Sequence, residues 1–119
     1  MSMATYTRNE LARDVLIEIG QLDPNEAPEA VDFETVDARA QQKLEELYEE
    51  GLIPFDLDGL IPARYFIPLV RIIAETVYGT YGVSMRAEEF IGNAIEATKQ
   101  LRRLRQRAYN ATPTQATYF

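Results

Sequence analysis

Three features of the sequence predict an all-α fold, a four-helix bundle-like domain with a long C-terminal helix and an extended C-terminal arm. Apolar residues recur at three- and four-residue spacing in four separate stretches. Glycines or capping residues bound those stretches. The stretch that alternates apolar with other residues, Leu52 to Pro62, is interrupted by Pro54, Asp56, Asp58 and Gly59, which suits an extended connector with a turn at Asp58-Gly59 and no long strand. At 119 residues, 46% hydrophobic and 26% charged, the chain has the size and composition of one globular domain with one core.

The first helix is announced by Thr7-Arg8-Asn9-Glu10, a capping-box pattern in which the Thr7 hydroxyl accepts from the Glu10 backbone N–H while the Glu10 carboxylate reaches back. Leu11, Val15, Leu16 and Ile19 follow at helical spacing and Gly20 supplies the left-handed stop, giving a helix over residues 8–19. Gln21 to Val31 carries Pro24 and Pro28 without apolar periodicity and reads as a surface loop that does not pack. Asp32 is the expected N-cap of a second helix, with Phe33, Val36, Ala40, Leu44, Leu47 and Tyr48 on its apolar face and Gly51 at its end. Its outer face holds Glu45, Glu46, Glu49 and Glu50, in the last turn, where the helix dipole disfavours negative charge.

A third helix through Leu69, Ile72, Ile73, Thr76, Val77 and Thr80 is apolar over much of its circumference and is the expected central element. Pro68 predicts either a short turn before this helix or a kink in it, and Gly82 the stop. Ser84 is the expected cap of a fourth helix reaching about residue 108, with Phe90, Ala94, Ala97, Leu101, Leu104 and Ala108 as its packing stripe and Ile91 and Ile95 widening it. Glu88 and Glu89 lie near its positive end, and Arg102, Arg103, Arg105 and Arg107 near its negative end. Residues 1–108 form the helical domain, and 109–119, uncharged in their side chains and closed by Tyr118-Phe119, form the arm.

The chain has no His and no Cys, so the commonest general base, thiolate nucleophiles, thiolate metal sites and disulfides are all missing. Asp56-Leu57-Asp58-Gly59 resembles the start of a calcium loop, but the twelfth position falls on Tyr65 rather than Glu. No cofactor motif and no metal site is expected, nor is a membrane-spanning segment, and the absence of a leader pattern predicts a reducing cytoplasm as the place of synthesis. With 19 acidic against 12 basic residues the net charge is −7, which argues against free nucleic-acid binding as the main role. The charge is divided. Residues 1–60 hold fifteen acidic and four basic side chains, and residues 61–119 four acidic and eight basic, a two-faced pattern that favours head-to-tail self-association. The alternatives are a small helical nucleic-acid-binding or regulatory module and a carboxylate enzyme. The four arginines wrap the helix end instead of forming one groove-reading face, and no carboxylate pair stands out.

The order of these features resembles the head–tail adaptor, or head-completion, proteins of tailed bacteriophages, a family that includes connectors and tail accessory factors. The resemblance rests on Thr7 to Gly20, on Leu44-Glu45-Glu46-Leu47-Tyr48-Glu49-Glu50-Gly51-Leu52-Ile53, on the apolar helix from Leu69 to Gly82, and on Glu88 to Arg107 with its polar tail. It implies a non-enzymatic virion subunit that forms a ring, normally a dodecamer, under the portal protein at the head–tail junction. The ring would extend the channel through which DNA passes as non-specific cargo, and offer a platform to a downstream tail or nozzle protein. It also implies a portal-binding arm made of Tyr109, Asn110, Thr112, Pro113, Thr114, Gln115, Thr117, Tyr118 and Phe119. Contacts between neighbouring copies are expected through Glu45, Glu46, Glu49 and Glu50 on one side and Arg102, Arg103, Arg105 and Arg107 on the other.

Overall fold

The computed structural model describes residues 4–110, the last three through their backbone alone. The fold is all-α. Four helices, α1 (Arg8–Glu18), α2 (Ala30–Glu49), α3 (Ala63–Val77) and α4 (Ala87–Asn110), are joined by short connections and by one two-stranded ribbon of β1 (Thr5–Tyr6) and β2 (Ile61–Pro62). The strands pair antiparallel, Thr5 opposite Pro62 and Tyr6 opposite Ile61, and so tie the N-terminal residues to the start of α3.

Local chemistry explains most boundaries. The Thr7–Glu10 capping box is formed in both directions, with the Thr7 hydroxyl accepting from the Glu10 N–H at 3.1 Å and Glu10 accepting from the Thr7 N–H at 2.8 Å. The α1 terminus closes with Gly20 at φ 80° and paired bonds from Gly20 N–H to Ile17 and Gln21 N–H to Leu16. The α2 terminus repeats the motif, with Gly51 at φ 75° donating to Tyr48 and Leu52 donating to Leu47, so the following chain turns back into the core through Leu52 and Ile53. Gly82 ends the third helical stretch as expected, after a 3₁₀ turn over Tyr78–Tyr81.

Several boundaries differ from the sequence reading. Helix α2 begins at Ala30, two residues before Asp32, with Glu29 at the cap position and no side-chain cap bond. Exposed first-turn N–H groups are met by water, so a capping side chain is not required there. The preceding loop does pack, through the half-buried Leu22. Helix α3 begins at Ala63 and runs through Pro68. Tyr65, Phe66, Leu69, Val70, Ile72, Ile73, Ala74 and Val77 are buried along it, and burial on that scale exceeds the roughly 3 kcal/mol local penalty of an interior proline. Ser84 opens a 3₁₀ turn rather than capping α4 directly. Helix α4 continues to Asn110, so Tyr109 and Asn110, assigned from sequence to the arm, belong to the helix. The remaining arm residues, Thr112, Pro113, Thr114, Gln115, Thr117, Tyr118 and Phe119, lie outside the described residues.

Helix α3 is the central element, packed on α1, on α2 and most extensively along α4. Its neighbours contribute Leu11, Val15 and Leu16 from α1, Val36, Ala40, Leu44 and Leu47 from α2, and Phe90, Ala97 and Leu101 from α4, all buried. Three aromatic pairs close the edges: Tyr6 stacked on Phe66 at 4.2 Å, Tyr78 on Phe90 at 5.0 Å, and Phe55 edge-on to Tyr65 at 5.2 Å. Ile91 and Ile95, expected to widen the α4 stripe into the core, are 44% and 53% exposed, and Tyr48 is 51% exposed. No described helix is long and apolar enough to cross a membrane.

Candidate functional site

The acidic group on α2 follows from helix geometry. With Val36, Ala40, Leu44 and Leu47 turned into the core, Glu45 and Glu49 point away from it, and Glu45, Glu46, Glu49 and Glu50 are all exposed. Glu46 pairs with Lys43 at 2.9 Å, and the carboxylates of Glu45, Glu49 and Glu50 have no ion-pair partner among the described residues.

The C-terminus of α2 nevertheless meets a cation. Arg105, from α4, donates to the Glu50 carbonyl at 3.3 Å. The same device recurs twice. Arg86 donates to the carbonyl of Glu18, the last residue of α1, at 3.2 Å, and Arg39 donates to that of Thr76, in the last turn of α3, at 3.0 Å. None of α1, α2 or α3 has a basic residue in its own last turn, so each negative helix end is met by a guanidinium from elsewhere in the fold.

The four arginines of α4 therefore divide. Arg105 is engaged with α2, whereas Arg102, Arg103 and Arg107 are exposed and make no ion pair among the described residues. Arg102 borders an open groove of about 410 Å³ between α2, α3 and α4. Its floor is apolar, from Ile72, Ile91, Ala94 and Ile95, and Lys43, Lys99 and Glu75 stand with Arg102 around it. On the other flank of α2 a second depression, of about 580 Å³, is lined by Tyr48, Leu57, Gln42, Glu45, Glu46 and Glu49. The two sequence-predicted clusters thus meet at the Arg105–Glu50 contact, while Glu45, Glu49, Arg102, Arg103 and Arg107 are exposed.

No family model, curated protein or solved structure matches this chain. The surfaces themselves must carry the functional reading.

One charged group escaped the sequence reading because its members are far apart in the chain. Arg8 donates to both oxygens of Asp37, at 3.0 Å from Nε and 2.9 Å from Nη2, and reaches Asp58 and Gln41 at 3.4 Å. The forked bond to Asp37 raises the Arg8 pKa above its ordinary value, against the opposing effect of burial. It fastens α1, α2 and the connector together. Arg86 forms a similar local fork with Glu89, which lowers the Glu89 carboxyl, and lies over the Phe90 ring at 4.6 Å. Tyr81 donates to the Asp32 carboxylate at 3.4 Å, and burial, aided by that negative neighbour, raises its hydroxyl pKa. Asp32 thus serves as a tertiary partner instead of a cap. Burial also raises the Asp14 carboxyl. Asp14 shares a small cleft of about 180 Å³ with Glu10, Arg13, Tyr6 and Phe66.

Proposed function

We propose that this chain is a structural subunit of a tailed-bacteriophage virion, a head–tail adaptor without enzymatic activity. It forms a ring on the portal protein, extends the DNA channel and presents a platform for the next tail or nozzle protein. The observation that carries this reading is unpaired exposed charge of both signs: Glu45, Glu49 and Glu50 at the end of α2, and Arg102, Arg103 and Arg107 on α4, none with an ion-pair partner among the described residues. Opposite charges on distinct surfaces of one subunit favour heterologous contacts, which close into rings when the rotation permits. The all-helical domain and the resemblance in helix order support it further, and the resemblance assigns the segment after α4 to the portal. An acidic balance suits a channel lining that DNA slides past without adhering.

The test is co-sedimentation with the cognate portal protein. The triple reversal Arg102→Glu, Arg103→Glu and Arg107→Glu, with the structural Arg105 untouched, is expected to leave a folded helical protein whose assembly on the portal falls by at least about tenfold, a loss of about 1.4 kcal/mol. Undiminished assembly would remove the arginines from subunit contacts.

A further inference from the structure

We infer that Tyr48 and the carboxylates beside it on one copy dock into the groove between α3 and α4 of the next copy. The inference rests on the ring-forming reading above and names the two surfaces that meet.

The groove is built to receive an amphipathic helix face. Ile91 and Ile95, one helical turn apart, expose 44% and 53% of their surface in a fold whose other α4 stripe residues Phe90, Ala97 and Leu101 are at most 2% exposed. They leave an apolar strip over Ile72 and Ala94 that no described residue covers. Around that strip stand Lys43, Lys99 and Arg102, against the single carboxylate of Glu75. Two of these cations carry local partners, Lys43 with Glu46 at 2.9 Å and Lys99 with Glu96 at 3.3 Å. Exposed pairs of this kind contribute about 0–1 kcal/mol and exchange readily for a carboxylate from a partner. Arg102 has none to exchange among the described residues.

The complementary surface is on the same chain. Tyr48 projects from α2 with 51% of its surface exposed, between Glu45 and Glu49 and beside Leu57. It is an aromatic anchor with an acidic border, matching an apolar floor with a basic border. Each charged pair lies on one face of its helix, Glu45 and Glu49 four residues apart and Lys99 and Arg102 three apart, so both members of a pair can reach the same partner.

Position makes the contact heterologous. At 100° per residue, Tyr48 lies about 140° around the α2 axis from Lys43, which borders the groove, so the anchor and the groove occupy opposite flanks of α2. One copy cannot satisfy itself, and each copy offers one anchor and one receptor. That geometry propagates from copy to copy until a ring closes.

The native chain has no cysteine, so directed disulfides give a direct test. Full-length Gln42→Cys and Thr98→Cys chains keep the Tyr48 anchor and the isoleucine strip, and place one thiol in each of the two depressions. Mixed in equal amounts with the cognate portal and treated with a mild oxidant, they should form a 42-to-98 crosslink identified by peptide mass. Its yield should exceed that from a Met85→Cys and Thr98→Cys mixture by on the order of tenfold, because docking raises the local concentration of the two thiols. Met85 is 99% exposed and serves as the collision control. Introducing Glu45→Lys and Glu49→Lys into the Gln42→Cys chain should reduce the crosslink to control level, and adding Lys99→Glu and Arg102→Glu to its Thr98→Cys partner should restore it. A crosslink at control level in the unreversed pair, with the wild-type chain still assembling on the portal, overturns this surface pairing and leaves the adaptor reading in place. If the wild-type chain also stays monomeric with the portal, both readings fall.

Discussion

The two halves of α2 use the same kind of side chain in opposite ways. In the N-terminal half, Asp37 is tied by two short hydrogen bonds to Arg8, with only 23% of either side chain exposed, and the group joins three parts of the fold. In the C-terminal half, Glu45, Glu49 and Glu50 are exposed and have no ion-pair partner among the described residues. A charge removed from water is tolerated only when it is paired, whereas an exposed one contributes little to stability and remains available to a partner. The acidic group of the first half therefore supports the fold, whereas the carboxylates of the second are left exposed to solvent.

Four substitutions probe that division, in decreasing order of effect. Leu44 lies between Asp37 and the exposed carboxylates, is 1% exposed and sits in the core. Leu44→Ala should cost about 2–5 kcal/mol by urea denaturation through loss of burial and the cavity left behind, and assembly should weaken with it. Asp37→Ala removes the forked partner of the half-buried Arg8 guanidinium, leaving only the longer contacts to Asp58 and Gln41, and should cost about 1–3 kcal/mol, while Glu49→Gln should stay within about 0.5 kcal/mol of wild type and reduce assembly instead. Equal stability losses for the two would erase the distinction. Asp14→Asn is the smallest. Burial raises the Asp14 carboxyl above its ordinary value, so the folded pKa exceeds the unfolded one, and the ionised group opposes folding above that pKa. The cost shrinks as pH falls through the folded pKa and is gone below the unfolded one. The variant should therefore melt slightly higher than wild type at pH 7, and its advantage should shrink steadily on acidification. An advantage that grows on acidification would contradict the sign.

How far the sequence disclosed this structure depends on the range of the interaction concerned. The Thr7–Glu10 box and the stops at Gly20, Gly51 and Gly82 involve neighbours in the chain, and they were legible. Asp32 satisfied the same local rules for a cap and is instead held by Tyr81, 49 residues away, while α2 starts earlier without a side-chain cap. The passage of α3 through Pro68 depends on core burial that no local rule weighs. On the exposed surface the charges of Glu45 to Glu50 and Arg102 to Arg107 were visible as composition, but their division was not. That Arg105 serves the α2 terminus while Arg102 borders a groove depends on where α4 crosses α2. Ile91 and Ile95 fit the helical stripe by spacing, and only the path of α3 and α2 leaves them uncovered.

The most direct measurement is the mass of the complex formed by the full-length chain and its cognate portal ring, by native mass spectrometry over a range of chain concentrations. The account predicts that mass rises to a plateau at one fixed multiple of the chain per portal ring and stays there. No binding at any concentration, or a mass that grows without a plateau, would contradict it.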